Sequence, residues 1–196
     1  MPRWEHGSEE RLKQAALELF EEQGFQDTTA VQIAKRARVT TRTFFRYFPD
    51  KQAILFVDAD RLGVALVHRI LAATDVASPL RAVVQALAGF DWLSVGSRES
   101  QRRRGAMIAS NSELLERELI KQQQMATEFS SALRQRGVAP DTAELAARVG
   151  IEVFRAAYRR WLAVDDDADL ATMTEAAMST LATIVLTDLS TATPPP

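Results

Sequence analysis

At 196 residues, with 24 lysines and arginines against 26 acidic residues, the chain has a formal charge of −2, which excludes a protein that coats nucleic acid by whole-chain attraction. The length allows a buried core in one helical unit or in two smaller ones. Having no cysteine, the chain cannot form disulfides, thiolate metal sites or a cysteine nucleophile.

The opening stretch MPRWEHGSEERLKQ lacks the apolar run a secretion signal needs, and the uncharged run 176–187 is shorter than the ~18 residues that cross a bilayer. A soluble, cytoplasmic protein without membrane contact is expected. Apolar residues recur three and four apart and no period-two alternation persists, so the expected fold is all-α with about nine helices.

Ser8, followed by Glu9 and Glu10, opens a first helix over 8–23 with the inward stripe Leu12, Ala15, Ala16, Leu19 and Phe20, and Gly24 closes it. His6 falls in a loose arm ahead of it. Thr29 with Gln32 reads as a capping box for a short second helix that turns Ile33 and Ala34 inward and ends near Ala37. Arg38 and Val39 form a tight corner. Thr40 caps a third helix through about Tyr47, Pro49 ends it, and Asp50 caps a long fourth helix carrying Ile54, Leu55, Val57, Leu62, Leu66 and Ile70. Ser78 with Pro79 starts a fifth helix, Gly96 and Ser97 precede a sixth, and Ser110 with Glu113 opens a seventh that lasts to Gly137. Pro140 opens an eighth, and the acidic turn Asp165, Asp166, Asp167 separates it from a ninth ending near Leu189. The tail TATPPP cannot continue a helix.

On the third helix Phe44 and Phe48 lie four residues apart on one side and, with Val39, face Ile33, Ala37, Leu17 and Phe20. Thr41, Arg42, Phe45 and Arg46 point the other way. Two short helices joined by a tight corner, the second presenting polar and cationic groups, form a helix-turn-helix whose second helix is shaped for a DNA major groove. Residues 28–51 hold Lys35, Arg36, Arg38, Arg42, Arg46 and Lys51 against Asp50 alone, a local +5 that leaves −7 on the other 172 residues. The alternative is a solvated helical hairpin whose exposed Phe45 is incidental or packs on another subunit.

Residues 29–55, TAVQIAKRARVTTRTFFRYFPDKQAIL, resemble the DNA-binding segment of TetR-family transcriptional regulators through Thr29, Ile33, Ala34, Ala37, Val39, Thr43, Arg46, Tyr47, Phe48, Pro49 and Lys51. That family usually has glycine where Arg38 stands, because the corner takes a left-handed backbone, and a side chain there costs on the order of 1 kcal/mol. Tyrosine is usual where Phe45 stands; lacking the hydroxyl, Phe45 is assigned to apolar contact with a thymine methyl or the sugar backbone. The resemblance implies that Thr29 and Lys51 hold phosphates from opposite ends of the motif and that Tyr47 adds a backbone bond. It also implies that Thr40, Thr41, Arg42 and Thr43 approach base edges, with Arg46 on the same exposed side. Arg42 is the specificity candidate, since a guanidinium grips guanine O6 and N7 together. For Lys51 the alternative is a stem packed on Phe48 with a solvated head.

The expected organisation is a helix-turn-helix domain over 1–50, a helical regulatory and dimerisation domain over 51–190, and a disordered tail over 191–196. One short recognition helix offers few base contacts, so a homodimer reading a palindromic double-stranded DNA operator is expected. The eighth and ninth helices are apolar on more than one side and must bury both, one against the chain's own core and one against a twin helix, as in TetR-family dimers. Candidate interface residues are Val149, Val153, Met178, Ala182, Val185 and Leu189; a thicker monomeric core is the alternative.

A ligand cavity in the middle helices is implied by the resemblance. Its candidate lining is Phe90, Trp92, Leu93, Met107, Ile108, Met125, Phe129, Phe154 and Trp161, each of which also reads as ordinary core. Segment 106–162 is similar, less specifically, to regulators thought to bind acyl-CoA-like ligands. The implied effector is an unidentified small molecule, hydrophobic or acyl-like, that moves the fourth helix, changes the separation of two recognition helices and releases DNA. The run Arg102, Arg103, Arg104 reads as a partner for an acidic ligand tail or as a solvated helix face. No cofactor or metal is expected, because His68 has no second histidine at ligand spacing, and catalysis lacks a phosphate-binding glycine loop or a nucleophile elbow. The expectation is a ligand-responsive repressor, not an enzyme. Control by a protein partner and a small all-α enzyme are the rival readings.

Overall fold

A computed structural model describes residues 4–73, 78–164 and 168–191, with the side chains of 4–6, 60 and 191 outside the description. Among these residues every regular element is a helix, as the three- and four-residue apolar spacing requires. The acidic turn expected at Asp165, Asp166 and Asp167 and the tail from residue 192 lie outside the described residues. The chain divides into two compact units, Met1–Asp60 and Arg61–Pro196.

The first unit holds α1 (Trp4–Gln23), α2 (Ala30–Arg36), α3 (Thr41–Tyr47) and α4 (Ala53–Phe56). Helix α1 begins at Trp4, ahead of the expected Ser8, so His6 lies on a helical backbone and not in a loose arm. Gly7 weakens a helix by about 1 kcal/mol without breaking it. Ser8 sits inside the helix, 9% exposed, where its hydroxyl accepts from Arg11 (3.2 Å) instead of capping. Gly24, at φ +87°, closes α1 as expected.

The expected long fourth helix is two pieces, α4 and α5 (Ala59–Ala72). Val57 and Asp58 form a turn between them, in which Val57 keeps right-handed torsion (φ −58°, ψ −35°). Asp58 reaches back to Lys13 on α1, 3.1 Å from its Nζ. Asp50 accepts from Ala53 N–H (2.6 Å) at the start of α4, as its position suggested.

The second unit continues with α6 (Pro79–Ala88), a 3₁₀ turn (Trp92–Val95), α7 (Arg98–Ala109), α8 (Ser112–Gln135), α9 (Pro140–Ala163) and α10 (Leu170–Thr191). Pro79 and Pro140 each stand in a first helical turn, where the missing N–H costs nothing. The cap of α8 is Asn111, not Ser110: its Oδ1 accepts from Glu113 and Leu114 N–H at 3.2 and 3.3 Å. Ser110 instead ends α7, its N–H donating to Ala106 and Ile108 carbonyls.

Helix α9 is the axis of this unit. Phe129 and Leu133 of α8, Val83 and Leu87 of α6, and Leu66 and Ile70 of α5 are buried in one core with Ala147, Ile151 and Phe154 of α9. Gly150 permits the close approach of α9 to α6, because a β-carbon there would lie 2.7 Å from Val83 Cγ1. Tyr158, half-buried, joins the aromatic packing, and burial pushes its hydroxyl up to about 12, with Arg104 opposing and Glu118 reinforcing the rise. A raised folded value means that the neutral hydroxyl's stability is present below its ordinary value of 10.0 and is lost as pH climbs through about 12. A tyrosinate absorbance titration of the native chain is expected to show a phase near 12 that Tyr158→Phe removes.

Helix α10 departs from expectation. Over Leu170–Ser190 it is long and apolar enough to cross a membrane by length and composition, with a mean hydropathy of 1.3 and only 11% of its most apolar window buried. The uncharged run 176–187 understated this, because Glu175 and Asp188 interrupt the run without making the helix polar overall. Leu170 and Thr174 are buried, whereas every described residue from Ala182 to Ser190 is exposed.

Candidate nucleic-acid interface

The first unit presents α3 through its packing. Thr29 caps α2 with the full reciprocal box: its hydroxyl accepts from Gln32 N–H (3.2 Å), and Gln32 Oε1 accepts from Thr29 N–H (2.8 Å). Thr40 caps α3 by accepting from Thr43 N–H (3.1 Å), and the two hydroxyls lie 2.9 Å apart. Below, Phe44 and Phe48 are buried with Ile33, Ala37 and Phe20. Val39 and Leu17, expected in the same core, are only half-buried. Outward, Arg42, Phe45 and Arg46 are exposed and Thr41, Thr43 and Tyr47 half-exposed.

The corner between α2 and α3 carries strain. Arg38 holds φ +56°, the only positive φ at a non-glycine among the described residues. A side chain in the left-handed region costs on the order of 1 kcal/mol, so Arg38→Gly is expected to raise stability by about 1 kcal/mol in a denaturant titration. The same change removes an exposed cation, and affinity for random DNA should fall, with a salt dependence flatter by up to about one released ion.

Two of the six expected cations are engaged inside the unit. Arg36 grips Glu22 through both terminal nitrogens (2.8 and 2.7 Å) and reaches Glu18 (3.3 Å). The hydrogen bond from Arg36 holds the Glu22 carboxyl below its ordinary value, and the reciprocal bond raises the guanidinium. Lys51, for which the resemblance implies a phosphate contact, donates through its ammonium to the carbonyls of Phe25 (2.6 Å), Thr28 (2.8 Å) and Gln26 (3.1 Å) and lies 4.3 Å from the Phe25 ring centre. An ammonium has three protons and three carbonyls accept from it, so in this arrangement a phosphate would have to compete with these internal bonds. Lys51→Met is expected to cost about 2 kcal/mol of stability and to leave the salt slope of DNA binding unchanged, whereas loss of a phosphate contact would lower that slope by about 0.9.

What remains outward is a cationic face. Lys35, Arg38, Arg42 and Arg46 are exposed. Arg42, Thr43, Phe45 and Arg46 together line a shallow depression of about 550 Å³. Arg46 is steadied by Tyr47, its Nη2 donating to the phenol oxygen (3.1 Å) and its guanidinium carbon 4.9 Å from the ring centre. Lys35 and Arg38 were counted in the local charge but not as contact residues; their exposure beside the corner is what charge alone did not localise.

The expected ligand lining in the second unit is brought together only in part. Phe129, Phe154, Trp161 and Ile108 are buried, Phe90, Trp92 and Met125 pack partly buried against the core, and Met107 is half-buried. Leu93 is 58% exposed on the 3₁₀ turn and lines nothing internal. Phe90, Trp92, Phe154, Tyr158 and Trp161 form a chain of ring contacts with centroids 5.1–5.6 Å apart, and Arg98 lies over Trp161 at 4.2 Å. These rings occupy one another's faces. A depression of about 360 Å³ lies between α8 and α9, floored by Leu119, Ala126 and Ile151. Arg103 and Arg104 pair with Glu99 and Glu118 on the helix surface.

Of the expected interface residues, Val153 is only 8% exposed and Val149 and Met178 are half-buried, all against their own chain. Ala182, Val185 and Leu189 are exposed, and Leu145, Ile184 and Leu186 join them at 64, 53 and 65%. Spacing along α10 has no means of showing how much of its length α6 and α9 cover.

Comparison with known proteins agrees with both units. Residues 12–57 match the family described as bacterial regulatory proteins, tetR family, and residues 77–185 match the family described as the MftR C-terminal domain. The HTH-type transcriptional regulator HbdR of Aromatoleum sp. (strain CIB) is 50% identical over 52 residues, 25% of this chain and 23% of that protein. The HTH-type transcriptional regulator TcmR of Streptomyces glaucescens is 36% identical over 80 residues, 41% of this chain and 34% of that protein. The match thus spans about a quarter to a third of the length of these curated relatives. Among solved structures, the fatty acid degradation regulator FadR of Bacillus halodurans shares the fold at a TM-score of 0.57 and 18% identity, over 89% of this chain and 94% of that one.

Proposed function

We propose that this chain, which belongs to the TetR family of bacterial regulatory proteins, is a cytoplasmic DNA-binding repressor and not an enzyme, that it grips a palindromic operator as a homodimer and that it leaves the operator when a small molecule binds. The observation that carries the operator reading is the two-sidedness of α3: Phe44 is buried at 0% while Arg42, Phe45 and Arg46 on the opposite side are exposed. Thr40, Thr41, Arg42, Thr43, Phe45 and Arg46 are the groups offered to base edges and flanking backbone, and Thr29 and Tyr47 the further backbone contacts.

The exposed apolar end of α10 supports pairing with a second copy, since a helix with uncovered leucine, valine and isoleucine gains stability by covering them. Dimerisation doubles the base contacts that a seven-residue helix can make. The effector is an acyl-like or otherwise hydrophobic molecule whose preference for the form with weaker operator affinity sets how far occupancy falls.

A second reading has its own support: the rings of Phe90, Trp92, Phe154, Tyr158 and Trp161 fill the space between them, which suits a regulator answering to a protein partner or to no ligand. Selection of bound sequences from random duplexes tests the main reading. Enrichment of a palindrome is expected; no enrichment at any salt concentration removes the operator. Acyl-CoA thioesters of graded chain length, titrated into the selected complex, should release DNA, and unchanged operator affinity at saturating thioester would favour the second reading.

A further inference from the structure

We propose that Phe45 reads the 5-methyl group of a pyrimidine in the major groove, thymine or 5-methylcytosine, beside a guanine held by Arg42; this rests on the operator binding proposed above. The ring is 55% exposed and packs steeply against the fully buried Phe44, 5.2 Å between centroids and 84° between planes. Having no hydroxyl, it offers a base only an apolar surface.

Its surroundings select among base edges. Arg46 rests on Tyr47, and its guanidinium, like that of Arg42, lies on the same exposed side of α3 as the ring. An exposed apolar ring beside exposed guanidinium groups suits an edge that combines an apolar projection with acceptors. In the major groove only thymine among the four ordinary bases carries such a projection, and cytosine gains the same one when methylated at C5. Arg42 and Phe45 are three residues apart on one helix, about 5–6 Å between β-carbons. Neighbouring bases on a strand rise about 3.4 Å. That spacing places the methyl and the guanine within one or two base steps of each other.

The full-length protein and its selected operator supply the test, with binding followed by fluorescence anisotropy. Each thymine is replaced in turn by deoxyuridine, which removes only the methyl, and each cytosine by 5-methylcytosine, which adds it. At one position in each half-site the methylated base is expected to bind about fourfold tighter than its unmethylated partner, the worth of one buried methyl group. If the position is thymine the effect identifies the ordinary base as the source; if it is cytosine, binding responds to DNA methylation. Phe45→Ala should erase the difference at that position and nowhere else, and Phe45→Leu, which keeps apolar bulk, should restore part of it, with helicity of both variants checked by circular dichroism. A methyl effect at no position, or one that survives Phe45→Ala, overturns the assignment while leaving operator binding intact. Failure to select any sequence overturns both.

Discussion

Arg42→Ala is expected to weaken operator binding by about tenfold to a hundredfold while affinity for random duplex falls far less. A bidentate grip on guanine discriminates bases by about 1–3 kcal/mol, whereas a phosphate contact contributes equally to every sequence. Arg42 is suited to the first role because it is exposed on the second residue of α3, opposite the buried Phe44, and lines the depression beside Phe45. The check is a pair of salt titrations, one on operator and one on random DNA. Equal losses on both, with the slope reduced by about 0.9, would make Arg42 a phosphate contact only.

The double substitution Val185→Glu with Leu189→Glu should turn a dimer into a monomer at micromolar concentration and lower operator affinity by more than about a hundredfold. Each buried side chain of this size contributes about 1.5–3 kcal/mol, and a pairing of two copies places four carboxylates where apolar groups would meet. Both residues are exposed in the single chain, at 46 and 67%, so helicity and thermal stability of the isolated protomer should hold. Sedimentation velocity reads the assembly directly. A wild-type chain that sediments as a monomer would end the pairing on α10, and one recovered on lipid vesicles would show that the apolar length of α10 serves a bilayer surface instead.

These expectations differ in where they were legible. The capping box at Thr29 and Gln32, the cap at Thr40 and the inward pair Phe44 and Phe48 are decided by residues three or four apart, and all stand where local spacing put them. The left-handed corner at Arg38 was also legible, through resemblance to a family that puts glycine there. Local reading failed where two neighbours competed. Ser110 and Asn111 are both good caps, and the winner is the one whose carbonyl oxygen meets Glu113 and Leu114 while its residue is buried at 8%. The break at Val57 and Asp58 has no proline or glycine to announce it.

The amino-acid order alone thus determined an all-helical chain, its helix-turn-helix and the side of α3 that turns inward, because backbone hydrogen bonds and one-turn contacts join near neighbours in sequence. Tertiary structure alone decided where the long polar side chains end: Lys51 on carbonyls 23 to 26 residues earlier, Arg36 on Glu22 and Glu18, Asp58 on Lys13. It also decided that α10 from Ala182 to Ser190 stays uncovered on all its sides. A flexible side chain with several possible partners takes the one that folding brings within reach, and no spacing rule carries that information.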